Sequence, residues 1–449
     1  MRRIIPLTAE PEQPPELFTP AFCPNPHCRE HYRDRPILSP SAGTGSSPVR
    51  PEERAPRETA DAASLAAHTG TPPAERPQQA QQPVLAEDSA ANPAANPAAR
   101  RWFYRHGSYE TAAFGTVPRY RCRSCRRGFS RQSFRLDYYA KRVLCYRSVL
   151  QQVVSCSSTR DLTRREGCTT GSVANRIERL ARQAAAVHAD TLAQLSLSEA
   201  VVIDGFENFA VSKYFPNNIT LLAGAASEFL YGCDYRTIRR SGRMSEQQKE
   251  RRDELEERFR ADPAELRRAF ATLVDGALRI AASGKPLVLR TDCHSEYRRA
   301  IARDAHFSAL CEAGRLQHEL THSREPRTAA NPLFAANYLD RQLRKDLKEC
   351  VRRTVCFGRN VSNVMQRMLI YRMYHNHYKG WRHREPRPTH GSVAGLDERW
   401  VQRRLSGVFE WREFLSRSAL GPEDLQVWLR RLPTPLKRGA EYLPKFALA

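Results

Sequence analysis

The sequence predicts an α/β protein with a cysteine-bearing ribbon and a small helical unit ahead of its main domain. Three observations lead there. Two β-branched runs, Ala200–Asp204 and Pro286–Asp292, each end in an aspartate. Strand-like and helical runs alternate between residues 198 and 380. A C-x2-C knuckle, Cys122 and Cys125, lies before them in a basic, aromatic stretch. The 449 residues are ample for several domains, and a hydrophobic content of 41% excludes a wholly disordered chain.

Charge narrows the function classes. Seventy-two Lys and Arg against 49 Asp and Glu give +23, a field that attracts polyanions. Only nine of those cations are lysine, so part of the excess reads as composition and not as a binding face. No run reaches the roughly 18 apolar residues of a membrane helix, and Met1–Pro6 lacks a secretory apolar core. The expectation is a cytoplasmic, nucleoid-associated protein without a membrane partner. Its twelve cysteines are then reduced thiols or metal ligands.

In chain order, residues 1–35 hold Cys23 and Cys28. Residues 36–100 carry eleven prolines and no Phe, Trp or Tyr, so they cannot offset their chain entropy by burial. They read as a disordered insertion. Residues 101–138 return to aromatics and short strands. Cys23 and Cys28 on one side of the insertion and Cys122 and Cys125 on the other make two halves of a split zinc ribbon. His27 is a substitute ligand. Four protein ligands leave no open position, so the Zn²⁺ role is structural.

Residues 139–190 read as three helices. Ser158 or Thr159 caps the second, Gly167 ends it, and Thr169 or Thr170 caps the third. Val173, Ile177, Leu180 and Ala181 give that helix an apolar stripe. Ser172, Asn175, Arg176 and Arg179 lie on its other face. This is a helix-turn-helix pattern, with those four as candidate DNA contacts.

Residues 198–395 form the main domain, with a helical insertion at about 244–282. Asp204 and Asp292 close predicted strands, at the sheet edge where α/β proteins bind ligands. After Asp292 come a helix near 294–304, a strand at Leu316–Leu320 and a helix at about 334–351 that bears Asp340. Asp340 could instead pair with Arg344 at i,i+4. Glu207 and Glu296 read as peripheral, and His294 as a helix N-terminal group. Residues 396–449, with three tryptophans, form a C-terminal extension of undetermined packing.

The order strand-Asp, two strands, helix, strand-Asp, helix, strand, helix-Asp resembles that of ribonuclease H-like nucleotidyl transferases. The segments RYRCRSCRRGFS (119–130), VVIDGFENF (201–209), LRTDCHSEY (289–297), NPLFAANYLDRQLRKDLKECVRRT (331–354) and YHNHYKG (374–380) are similar to bacterial insertion-sequence transposases of the DDE type. In such families the third motif often reads Asn-x-x-acid-Arg, which Asn337, Asp340 and Arg341 match. The resemblance implies a ribonuclease H-like core in which Asp204, Asp292 and Asp340 hold Mg²⁺ (or Mn²⁺), with Glu349 as the alternative third acid. It further implies double-stranded DNA partners, namely element ends and target, strand cleavage and transfer, and a homo-oligomer. The other expectation is a catalytically inactive, transposase-derived DNA-binding regulator.

Overall fold

A computed structural model describes residues 20–25, 27–31, 101–112, 114–322, 324–382, 387–415, 417–444 and 447. The insertion expected at 36–100 lies outside the described residues. Strands β1 (Phe103–Thr111), β2 (Gly115–Cys122) and β3 (Gly128–Ser130) form an antiparallel sheet in the order β1-β2-β3. Its apolar cluster is small. Three of its seven buried members are cysteines, and Trp102, Phe103, Phe129 and Phe134 supply the rest. A cluster of that size does not hold a fold alone and needs a staple.

Helices α1 (Tyr146–Val153), α2 (Thr159–Glu166) and α3 (Thr170–Gln194) follow. The caps are those the sequence predicts. Ser158 accepts from the Asp161 N–H in a capping box, Gly167 ends α2 in the left-handed region at φ +55°, and Thr169 accepts from the Ser172 N–H. α3 runs beyond residue 190, and Arg179–His188 is buried at every position. A helix covered all round lies inside a core. α3 packs on α9 (Val361–His377), so the helical unit shares the main hydrophobic core.

That core surrounds a five-stranded mixed sheet. It contains β4 (Val201–Phe209), β5 (Pro216–Gly224), β6 (Leu230–Thr237), β7 (Leu287–Asp292) and β8 (Leu316–Thr321), in the order β6-β5-β4-β7-β8. β4, β5 and β6 pair antiparallel through short connections. β4–β7 and β7–β8 pair parallel, which requires crossovers. The first crossover contains α4 (Glu246–Glu256) and α5 (Glu265–Ile280), the second α6 (Ser295–Arg303) and α7 (Ala305–Glu312). The span 244–282 is therefore not wholly an insertion. α4 is the charged, mostly exposed part, whereas α5 buries Leu266, Phe270, Leu273, Val274 and Ala277 and lies against β5 and β6. β5 is buried from Asn217 to Gly224, as expected for a strand covered on both faces.

α8 (Phe334–Asp346) lies against β4 and β5. After α9 come α10 (His390–Val393), α11 (Glu398–Leu405) and α12 (Pro422–Trp428). The C-terminal extension packs on the rest of the protein. The Gln183 amide donates to the carbonyls of Val408 and Trp411, and the Arg412 N–H donates to Phe134 O at 2.7 Å. Asp424 on α12 meets the fully buried Arg372 at 2.5 Å. On α9, Asn376 grips the start of β6: Oδ1 accepts from the Leu230 N–H at 2.9 Å and Nδ2 donates to Leu230 O at 3.0 Å. No helix among the described residues is long and apolar enough to cross a membrane.

Two stability predictions follow from α9. Asn376→Leu leaves both Leu230 backbone groups buried without partners, so it should lower stability by about 2–4 kcal/mol in urea unfolding. His377 is fully buried, and burial, assisted by Arg404 and Arg372, lowers its pKa to about 3. Between that value and 6.5, the unfolded chain takes up a proton that the folded chain refuses, so stability is lost as pH falls from 6.5. His377→Gln should therefore lose about 2 kcal/mol less than wild type between pH 7.5 and pH 5. Parallel pH profiles for the two proteins would contradict this.

Candidate metal centre and acidic site

The ribbon's two cysteine pairs meet. Cys23 Sγ is 3.6 Å from Cys125 Sγ, Cys28 Sγ is 3.7 Å from Cys122 Sγ, and all four sulfurs lie within 4.8 Å of one another. A tetrahedron with metal–sulfur bonds of about 2.3 Å has sulfurs about 3.8 Å apart. The group thus suits a metal such as zinc. Backbone hydrogen bonds shape both knuckles: Cys28 N–H to Asn25 O, and Cys122 N–H to Arg127 O, each 3.0 Å. Burial pushes the Cys23 and Cys28 thiols up. Burial also opposes ionisation of Cys125, but the Arg127 backbone and the Asn25 side chain overcome it and hold that thiol at about 7. A bound cation would remove the cost of burying thiolates.

His27 is exposed and stands outside the four-sulfur group. The organising histidine is His31, which the sequence did not single out. It is buried, its Nδ1 donates to Cys23 O at 2.6 Å, and its ring meets Phe22 edge-on. Phe22 also packs on Phe134 and on Phe414 from the C-terminal extension.

The acidic site forms on the five-stranded sheet. The β4–β7 ladder pairs Val201 with Leu289 and Val202 with Arg290. Carried two residues further, the same register sets Asp204 level with Asp292 and on the same face. Asp204 Oδ1 accepts from the Gly205 N–H at 2.7 Å, and Asp292 Oδ1 accepts from the His294 N–H at 2.9 Å. A Cβ at Gly205 would fall 2.0 Å from Asn218 Nδ2, so any side chain there would have to displace that amide. Asp340 reaches the same region from α8.

Burial pushes Asp204 up to about 6, and the charge of Asp292 adds to the effect. Burial pushes Asp340 up to about 7, with Asp204 as the next cause, against Arg344, Arg327 and Arg352. No hydrogen bond or ion pair among the described residues engages the Asp340 carboxylate, and the i,i+4 pair with Arg344 does not form. Arg344 lies over the Phe206 ring instead, 4.6 Å from its centroid. Glu349 lies beyond α8, in a 3-10 turn at Lys348–Cys350, where Arg367 engages it at 3.1 Å. Glu207 is exposed, Glu296 pairs with Arg299, and His294 caps α6. Two neighbours were not anticipated. The buried Tyr297 stacks on Phe270 in the field of Asp204 and Asp292, and the exposed Arg327 carries charge close to Asp204 and Asp340.

The candidate recognition helix needs a correction. Arg176 and Arg179 are buried, not displayed. Arg176 donates to Arg142 O at 2.7 Å, while Arg179 donates to Leu136 O and Tyr138 O and lies over the Tyr138 ring. Their guanidinium groups tie α3 to the segment that leaves the ribbon. Ser172 and Asn175 are half-buried, and the exposed positions of α2, the turn and the start of α3 are Arg160, Arg164, Arg165, Gly167, Thr169, Thr170 and Gly171.

The chain matches no protein-family model, and no curated protein matches it.

Replacing Cys122 by Ser should abolish stoichiometric zinc binding, read by elemental analysis of the purified chain. It should also expose the Trp102 cluster to solvent, read by fluorescence. Undiminished zinc in that variant would exclude a four-thiolate centre.

Proposed function

We propose that the chain is a DNA transposase of the DDE type, which binds element ends and performs metal-dependent strand cleavage and transfer. The observation that carries this reading is that Asp204, Asp292 and Asp340, from three separate elements, lie close enough for the charge of Asp292 to raise the pKa of Asp204 and that of Asp204 to raise the pKa of Asp340. Acids that form no ion pair in a partly buried site, and whose pKa values stay raised despite nearby arginines, favour a bound cation. The sheet order adds support, because an antiparallel β6-β5-β4 set extended by parallel β7 and β8 fits the ribonuclease H-like arrangement.

Carboxylate oxygens are hard donors and suit Mg²⁺ or Mn²⁺. When bound, the cation supplies Lewis-acid activation of the attacking oxygen and neutralises charge on the phosphate. The protein's own residues do the rest. The backbone N–H groups of Gly205 and His294 each hold one oxygen of Asp204 and Asp292, which would leave the other oxygen of each to a cation. Arg327 and Arg352, both exposed, offer charge to phosphates. The exposed ends of α2 and α3 and the basic ribbon would bind the element end, and a homo-oligomer would bring two ends together. Double-stranded DNA is the partner.

One observation favours a second reading, the inactive DNA-binding regulator. Among the described residues only the cysteines gather within 4.8 Å, whereas the three aspartates stay further apart.

A strand-transfer assay separates the two readings. It uses DNA from just outside the gene's own ends, Mg²⁺ and the full chain. Wild type should give product, and Asp292→Ala should reduce it more than about 100-fold while DNA binding persists. Product from both proteins would sink the metal assignment, and binding without product from either would establish the regulator.

A further inference from the structure

The ribbon sheet has two unlike faces. Phe103 pairs with Cys122, and Tyr120 with Phe129, so one face carries the aromatic cluster and the cysteines. The register pairs Tyr109 with Val117, Arg119 with Ser130 and Arg121 with Gly128, which sets these residues on the opposite face. There Tyr109, Arg119, Arg121 and Gly128 line an open groove of about 370 Å³, together with His106 and Tyr139.

What the groove offers is accessible. Tyr139 is 83% exposed and meets Tyr138 edge-on at 5.7 Å, so most of its ring is open to solvent. Its φ of +53° is a costly conformation for a residue with a β-carbon. Anchors around it impose that conformation: Arg179 donates to Leu136 O and Tyr138 O, and the Ala140 N–H donates to Asp137 O at 2.9 Å. Arg119 is exposed and makes no hydrogen bond or ion pair among the described residues. Arg121 is half-buried, with the Tyr104 hydroxyl as its partner. The strand is bare at Gly128, where a Cβ would meet nothing closer than Tyr120 O at 3.9 Å. Between Arg101 and Arg131 stand eight arginines and one carboxylate, Glu110, which receives the Thr116 hydroxyl on the other face. An anionic occupant therefore meets no acid in the groove.

The groove also leads towards the helical unit. Lys141, two residues past Tyr139, is exposed, and Arg142 donates to Gly167 O and Glu166 O at the end of α2. From Tyr139 to Arg142 the chain spans at most about 11 Å. Tyr139 thus stands close to the exposed turn between α2 and α3.

We propose that the groove binds a short single strand that continues from duplex DNA lying on that turn. One unpaired base stacks on Tyr139, Arg119 meets a flanking phosphate, and the strand passes over Gly128. An open aromatic ring beside a free cation is the chemistry of single-strand sites, because only an unpaired base has a free π-face. A duplex alone would engage the arginines and leave Tyr139 unused. The inference rests on the reading of the chain as a DNA-acting protein. It adds the form of DNA recognised, a duplex with an unpaired end.

The test measures, by anisotropy, the affinity of the full chain for a blunt duplex from DNA just outside the gene's own ends. It compares that duplex with versions carrying a single-stranded tail of about six nucleotides, of either polarity, and with versions whose tail is abasic. Wild type should bind one of the tailed duplexes about fivefold or more tighter than the blunt one. An abasic tail keeps the phosphates but gives nothing to stack, so most of that gain should vanish. Tyr139→Ala should lose the gain and keep its affinity for the blunt duplex, whereas Tyr139→Phe, which keeps the ring, should retain it. Arg119→Ala should weaken tailed binding more than blunt binding and lower its salt dependence by about one charge. A gain that persists in Tyr139→Ala or on the abasic tail overturns the stacking groove. Equal wild-type affinities for blunt and tailed duplexes overturn the groove but not duplex binding. A wild type that binds none of the probes overturns both.

Discussion

Parallel pairing between β4 and β7 is the constraint on which the rest of the molecule depends. It levels Asp204 with Asp292, and like charges at that spacing are costly in a partly buried site. The other features of the site answer to this pairing. Two parallel strands cannot be joined by a hairpin, so the chain must travel out through α4 and α5 and back. The Asn218 amide on β5 fills the space beside Gly205, so a side chain after the first aspartate would have to displace it. α8 then closes over β4 and β5 and adds a third acid where two already repel.

Much of this was legible in the sequence because the signals were local. β-branched runs ending in aspartate, Ser158 and Thr169 before helices, Gly167 after one, and two cysteine pairs each report on a few neighbouring residues. What sequence reasoning missed was long-range. Arg176 and Arg179 lie on the polar side of a helical pattern, and their sequence does not say whether that side meets water. Here it meets carbonyls 34 to 43 residues away, and a buried arginine is tolerated because its donors are satisfied and its stem is apolar. The stripe of α5 was visible at helical spacing, but the charged run of α4 before it made the whole span look like an insertion. Glu349 was placed one turn too generously on a helix that ends at Asp346.

The segment 374–380 shows how a motif can carry several duties. Asn376 replaces a strand partner for Leu230. His375 stacks on His390 with centroids 3.9 Å apart, and burial keeps both neutral. Lys379 holds Asp346 at 2.8 Å at the end of α8. Such buried polar groups add little net stability, but they admit only one arrangement of α8, α9 and the sheet. The acidic site stands on that arrangement.

The ribbon has an order of assembly written into it. Its four sulfurs come from residues 23 to 125, so a metal can be captured early in synthesis. Its aromatic packing is not complete at that point. Phe414 must still arrive against Phe22, His31 and Phe134, and Arg412 must bond Phe134 O. In synthesis order the cysteine pairs precede, by nearly three hundred residues, the Phe414 side chain that covers their aromatic neighbours. A protein that ends before Trp411 would keep the thiols and lose the clasp. Packing of the ribbon thus ties together segments nearly three hundred residues apart in the chain.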